Sequence, residues 1–422
     1  MDYYIVIGFS IIIILSHFFN VISSRTNIPS VILLLGLGMI IKAGLDFFGY
    51  GDAVDSTIRR YDILPVIGTM GLILIVLEAA LDLKLTRERW PVIWRSFAVA
   101  LLSLLITSTV VAHLLTYFLF IELIQAYMYA IPLSIMSSAI VIPSVANLME
   151  EPREFMIYES TFSDILGIMM FYALAGNTTG DFSGTFAFGV FFNIILTIIL
   201  SILISGALVW IFQQITTHVK LFLVIAILML LYAIGKLAQF SSLVLILVFG
   251  LMLNNPELFF RGKLSQHIRV GNLKPLLRDF HIITLESAFV LRTFFFVIFG
   301  LTVALSSLWS IKVLLVSVSV LIVTYLIRYI IMRIFQRDML LPLLYITPRG
   351  LITVLLFFQI PALYLSDDFD PGIMLFVIIA TSLIMTSALI RNGNGKAIPV
   401  KTDYFDEDDP TEFDHVSDDI DP

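Results

Sequence analysis

EFMIYESTFSDILGIMMFY, residues 154–172, carries two acids, Glu159 and Asp164, inside a run otherwise rich in apolar side chains. What those acids mean depends on the solvent around the run. The 422-residue chain is 59% hydrophobic and 14% charged, with a mean hydropathy of +1.00. A soluble domain is nearer half apolar and a quarter charged. Apolar runs of about 20 residues, the length that spans a bilayer, recur from end to end. Stretches such as IIIIL and VIAILMLLYAI do not alternate as barrel strands do, so the expected fold is an all-α polytopic membrane protein. A charge within such a span costs at least about 2.5–3.5 kcal/mol on insertion scales, so it is expected to be paired or functional.

Thirteen spans are expected, at roughly 3–22, 29–47, 62–82, 92–119, 124–148, 155–175, 183–213, 219–235, 239–254, 281–305, 309–332, 340–364 and 371–391. The first residues carry no basic region or cleavage site, so the first span is read as retained. The loops then alternate sides. One side, which includes Lys84, Arg89, Arg153, Arg278, Arg333 and the segment after Arg391, collects 17 basic residues, and the other has five. The positive-inside rule puts the richer side and the C-terminus in the cytoplasm and the N-terminus outside. Three basic residues, Arg292, Arg328 and Arg349, fall within spans. Residues 402–422 hold ten acids and no Lys or Arg; without them 25 basic residues stand against 22 acids. By composition 392–422 is therefore a disordered, solvated acidic tail. Cysteine is absent, which excludes disulfide and thiolate chemistry. The six histidines are scattered and suggest no metal site, and no nucleotide loop, nucleophile triad or nucleic-acid patch occurs.

The second and ninth spans, IPSVILLLGLGMI and FSSLVLILVFGLML, align with Gly38 on Gly250. The third and tenth align with Ala80 on Gly300. Spans seven apart enter from opposite sides, so this pairing predicts two inverted six-helix repeats, about 3–175 and 219–391, joined by a connector helix at 183–213. Such repeats with a midplane site mark secondary transporters. The repeat also pairs span 5 with span 12. The first has Ser137, Ser138 and Pro143 mid-run, and the second has Thr347, Pro348 and Gly350. Proline removes a backbone donor, and a freed backbone is tolerated in lipid only beside protein or water. Two broken helices crossing near the midplane are expected.

Glu159 and Asp164 are five residues apart, so on a helix they point about 140° apart and need separate partners. Arg328 is a candidate partner for one of them. The other acid is then free to bind either a cation or a proton, which is the simplest ion–proton exchanger.

ESTFSD resembles the E-S-x-x-N-D signature of the cation–proton antiporter superfamily, in its sodium/proton exchanger branch. RTNIPSVILLLGLGMI, GLILIVLEAALDLKL, TFFFVIFGLTV and TPRGLITVLLF resemble other segments of that superfamily, in the same order along residues 3–391. The resemblance implies a transmembrane antiporter domain over 1–391, multi-pass in the inner (plasma) membrane and homodimeric. It also implies exchange of Na+ or Li+ for H+ and no enzymatic activity or cofactor. Asp164 is then the Na+- and proton-binding carboxylate, with Ser163, Ser138 and Thr161 around it. Glu159 is the structural acid matched by Arg328, and Arg349 is the arginine of the R-G motif. Arg292 is expected either to pair with Asp164 or to anchor the ends of the broken helices. Two departures stand out: Ser163 replaces the usual Asn, and Ser138-Ala139-Ile140 replaces T-D-P. The second is closer to potassium-efflux relatives and makes K+/H+ exchange the alternative. A sensor built on the same fold is a further reading. An intramembrane hydrolase would need a dyad that the geometry of Glu159 and Asp164 does not provide. Glu78 and Glu286 are read as hydrated acids near the cytoplasmic ends of their spans.

Overall fold

Helices are the expected answer to lipid, where every backbone N–H and C=O must find a partner within its own segment. The computed structural model describes residues 2–26, 29–51, 56–57, 63–85, 88–145, 148–176, 196, 198–209, 220–237, 242–259, 270–302, 308, 310–336 and 340–392. Among them helix dominates and no strand occurs. The helices are α1 (Asp2–Thr26), α2 (Ser30–Phe47), α3 (Ile63–Asp82), α4 (Trp90–Leu119), α5 (Leu123–Ser134), α6 (Ser138–Ser144) and α7 (Glu150–Ala175). They continue with α8 (Ile198–Val209), α9 (Lys220–Leu237), α10 (Ser242–Asn254), α11 (Val270–Thr302), α12 (Ile311–Phe335), α13 (Leu351–Phe357) and α14 (Pro371–Asn392). Most of the expected connector 183–213 and the tail beyond Asn392 lie outside the described residues.

The polytopic all-α reading holds. Seven described apolar segments are long enough to cross a membrane, one of them running through α5 and α6. Large apolar side chains such as Phe9, Ile14, Leu315 and Ile322 face outward on α1 and α12, where water would penalise them and lipid does not. One boundary differs. The tenth span was placed at 281–305, but α11 already starts at Val270. Lys274, Arg278 and Asp279 end the apolar run without ending the helix, because polarity marks the bilayer and not the backbone.

The helices sort into two bundles by their packing. α2, α3, α10 and α11 pack on one another, with α1 and α9 against them. α4, α5, α7 and α12 form the second group, with α6, α13 and α14. The bundles touch mainly where α7 meets α10 and where α13 meets α3. Within the first bundle two crossings are made by small residues, as close helix approach in membranes requires. Gly38 of α2 lies against Gly300 of α11, so a Cβ on Gly38 would collide with the Val297 carbonyl and one on Gly300 would sit 2.5 Å from the Leu35 carbonyl. Gly250 of α10 lies against Ala80 of α3, with an added Cβ 2.5 Å from the alanine Cβ.

Both expected breaks are present in the second bundle. α5 stops at Ser134, residues 135–137 are extended, and α6 resumes at Ser138. A short turn at Leu340–Leu343 is followed by non-helical residues up to Gly350, and α13 starts at Leu351. Pro348 lies in its break, whereas Pro143 sits inside α6 near its end, away from the first break. The two breaks touch: the Ser137 N–H donates to the Pro348 carbonyl at 3.0 Å. Gly350 permits this approach, since a Cβ there would lie 2.6 Å from Ile140 Cδ1 and 2.9 Å from Ser137 Oγ.

Candidate functional site

α7 carries both acids to the crossing. It is one uninterrupted helix, so Glu159 and Asp164 point to different neighbours, and both are buried. Glu159 meets Arg328 of α12 in a two-pronged pair: Nη1 donates to Oε1 at 2.6 Å and Nη2 to Oε2 at 3.2 Å. Paired N–H···O bonds of this kind are the strong arginine–carboxylate geometry. Asp164 instead turns to the first break, where its Oδ2 accepts from the Ser138 N–H at 3.0 Å. Its Oδ1 is buried and has no hydrogen-bond partner.

The break's backbone is satisfied one amide at a time. Met136 N–H donates to Ser163 Oγ at 3.0 Å, Ser137 N–H to the Pro348 carbonyl, and Ser138 N–H to Asp164. Three consecutive amides that no helix can use are thus met by α7 side chains and by the other break, as a dry interior demands.

The arginines do the same for stranded carbonyls. Arg328 also donates to Leu343 O at 2.9 Å through Nη2 and to Leu344 O at 3.1 Å through Nε. Arg349 donates from Nε to Leu133 O at 2.7 Å, next to the end of α5, and from Nη1 to Thr347 Oγ1 at 3.0 Å. Its own N–H donates to Thr381 Oγ1 of α14 at 3.0 Å. Cations are favoured where helix C-terminal carbonyls point, so each arginine holds one side of a break.

Two expectations are corrected. Arg292 does not reach Asp164; it pairs with Glu78 of α3, Nη2 to Oε2 at 3.0 Å. Glu78 is therefore not simply hydrated but held across the α3–α11 contact, with Asp82 and His281 paired nearby at 2.7 Å. The physical reason is topological: α11 belongs to the first bundle, and α3 is its neighbour there. Glu286 lies exposed on α11. Thr161 is buried, but its hydroxyl donates to Ile157 O of its own helix at 2.8 Å and makes no bond to the carboxylate.

Beside the Glu159–Arg328 pair lies a small cavity of about 20 Å³. Ser103 of α4, Ser134, Met136, Ser163, Thr324, Thr347 and Arg349 also line it. Among the described residues no cluster of His, Cys, Asp and Glu could hold a metal in the manner of a protein cage. The Ser138 amide meets Asp164, and the hydroxyl of the adjacent Ser163 meets the Met136 amide.

A family model described as "Sodium/hydrogen exchanger, transmembrane" matches residues 9–391. Among solved structures, the chain is similar to the sodium proton antiporter MjNhaP1 from Methanocaldococcus jannaschii. The structure at pH 8 gives a TM-score of 0.67 at 20% identity, covering 92% of this chain and 100% of that one. An electron-microscopy structure of the same antiporter gives 0.63 at 19% identity, covering 94% and 100%. At such identities the likeness is one of fold. No curated protein sequence matches the chain.

Proposed function

The chain belongs to the sodium/hydrogen exchanger family, and from that premise we propose that it exchanges Na+ or Li+ for H+, with Asp164 binding cation and proton in turn. One observation carries this reading: Asp164 is buried, one carboxylate oxygen is fixed by the Ser138 amide, and the other has no partner. Among the described residues no basic side chain pairs with it, since Arg328, Arg349 and Arg292 are engaged elsewhere. An isolated buried carboxylate is costly as a bare anion. A proton or a monovalent cation removes that cost, and one group that needs either but accepts only one couples their movements. Ser138 and Ser163 supply the neighbouring oxygens; Glu159, Arg328 and Arg349 hold the backbone around them.

Alternating access belongs to the same reading. Its support is the sparse contact between the bundles, which leaves the site on one of them free to face either side. The proposed inverted repeats, about 3–175 and 219–391, are supported by the reciprocal crossings. An alignment that sets Gly38 on Gly250 and Ala80 on Gly300 exchanges the Gly38–Gly300 contact for the Gly250–Ala80 one. A homodimer in the inner membrane, N-terminus outside and C-terminus cytoplasmic, completes the proposal; the orientation rests on the basic loops. K+/H+ exchange is the second reading, favoured by Ser138-Ala139-Ile140.

The test is proton flux in proteoliposomes given Na+, Li+ or K+ separately, with the wild type and Asp164→Asn. Na+- and Li+-driven flux that Asp164→Asn abolishes, in a protein that still elutes as a folded species, is expected. Flux driven by K+ alone selects the second reading. Normal exchange by Asp164→Asn would end both.

A further inference from the structure

The cavity beside the Glu159–Arg328 pair has hydroxyls in its wall that the helices themselves do not satisfy. Thr324 of α12 is buried, lines the cavity, and its Oγ1 has no hydrogen-bond partner. Ser103 of α4 lines the other wall, and its Oγ is likewise buried without a partner. Ser163 Oγ accepts from the Met136 N–H, and its own proton has no acceptor among the described residues. Three hydroxyls with unused capacity thus converge on one space. Leaving a buried polar group unmet costs roughly 1–3 kcal/mol, so such groups in a folded protein call for a partner.

The space also limits what that partner can be. A cavity needs roughly 10–15 Å³ of probe volume to hold one water, and that water needs two to four polar partners. This one measures about 20 Å³, which is room for a single molecule of that size. The wall is charged, but Glu159 and Arg328 cancel in their own pair. A cation entering would face Arg349, whose guanidinium donors are already spent on Leu133 O and Thr347 Oγ1 and so are not aimed at an anion either. A neutral donor–acceptor fits the wall where an ion does not.

We propose that this cavity is a binding site for one structural water, held by Thr324 and Ser103 beside the Glu159–Arg328 pair. The water joins α4 and α12 to α7 at the depth where no direct hydroxyl–hydroxyl bond spans the gap. Asp164 does not line this cavity, and Ser163, its neighbour on α7, is the residue the cavity shares with the cation site.

A structure of the full chain at a resolution that shows other buried waters should contain one peak bonded to Thr324 Oγ1 and Ser103 Oγ. Crystals grown with bromide in place of chloride should show no anomalous signal there. An empty cavity, or a bromide peak, overturns the proposal. Thermal midpoints give a second reading. Thr324→Val keeps the side-chain shape and removes the hydroxyl, and Ser103→Ala removes the other. If both hold the same water, the double variant shifts the midpoint by less than the sum of the single shifts; additive shifts overturn the shared site. Thr324→Ser retains the hydroxyl and should stay nearer the wild type than Thr324→Val. A Thr324→Ser midpoint as low as that of Thr324→Val overturns the role of the hydroxyl.

Discussion

Replacing Arg328 by Met should destabilise the protein more than replacing Glu159 by Gln, and the double variant should be more stable than Arg328→Met alone. Arg328 and Glu159 are 4% and 1% exposed at the side chain, so solvent does little to relieve a charge left behind. Stranding one partner of such a pair costs roughly 3–5 kcal/mol. Arg328→Met strands Glu159 and also strips the donors from Leu343 O and Leu344 O. Each unmet buried carbonyl adds roughly 1–3 kcal/mol, so with two of them the total should reach about 5–11 kcal/mol. Glu159→Gln leaves an acceptor facing the guanidinium and leaves both carbonyls satisfied. Its loss belongs at the low end, about 3 kcal/mol. In the double variant no charge is stranded, and the unmet groups are the two carbonyls and the amide introduced at position 159. The assay is the thermal midpoint in detergent, followed by fluorescence-detected size exclusion, for all four proteins in parallel. A double variant that falls below Arg328→Met, or losses that simply add, would show that the pair is not coupled and would refute the reasoning.

Gly38→Ala should lower the midpoint strongly, because its Cβ meets the backbone of α11, whereas Gly44→Ala, with nothing within 4 Å, should be neutral or slightly stabilising. Equal effects would refute the close crossing. Phe162→Cys with Leu251→Cys places one thiol on α7 and one on α10, both beside the same apolar cluster, against the cysteine-free background. Joining them with a bifunctional thiol reagent should stop exchange; unimpeded exchange by the cross-linked form would argue against movement between the bundles. Exchange should be one-for-one and electrically silent, as measured in proteoliposomes clamped with valinomycin and potassium. A rate that follows the imposed potential would refute this and direct attention to Glu78 and Glu286.

The spans were legible because lipid selects long apolar runs, and α2, α3, α12 and α14 begin and end within a few residues of where hydropathy puts them. The breaks were legible because Pro348 and the paired serines interrupt such runs. The Glu159–Arg328 pair was also accessible, since few charges lie inside spans and each needs an opposite. The partner of Arg292 was not. Glu78 is 214 residues away, and only the side-by-side packing of α3 and α11 brings the two together. The amides of Met136, Ser137 and Ser138 were invisible for a different reason: a backbone donor has no letter in the sequence, so its bonds to Ser163, Pro348 and Asp164 follow only from where the helix stops. Arg349 looked like a motif residue, yet its contacts are with Leu133 O and Thr347, which no side-chain pattern announces.

The charges within the membrane-spanning helices point to where exchange can occur. Glu78 answers Arg292 and Asp82 answers His281, both across α3 and α11 of the first bundle. Glu159 answers Arg328, and Arg349 is spent on a stranded carbonyl and a hydroxyl. Asp164 alone among these acids has no cationic side chain, and it is also the one whose second oxygen is unmet. One unpaired carboxylate, fixed by one amide and backed by a hydroxyl-lined break, leaves room for a single exchangeable charge. That count, rather than the presence of an acid as such, is what makes one cation for one proton the stoichiometry to expect.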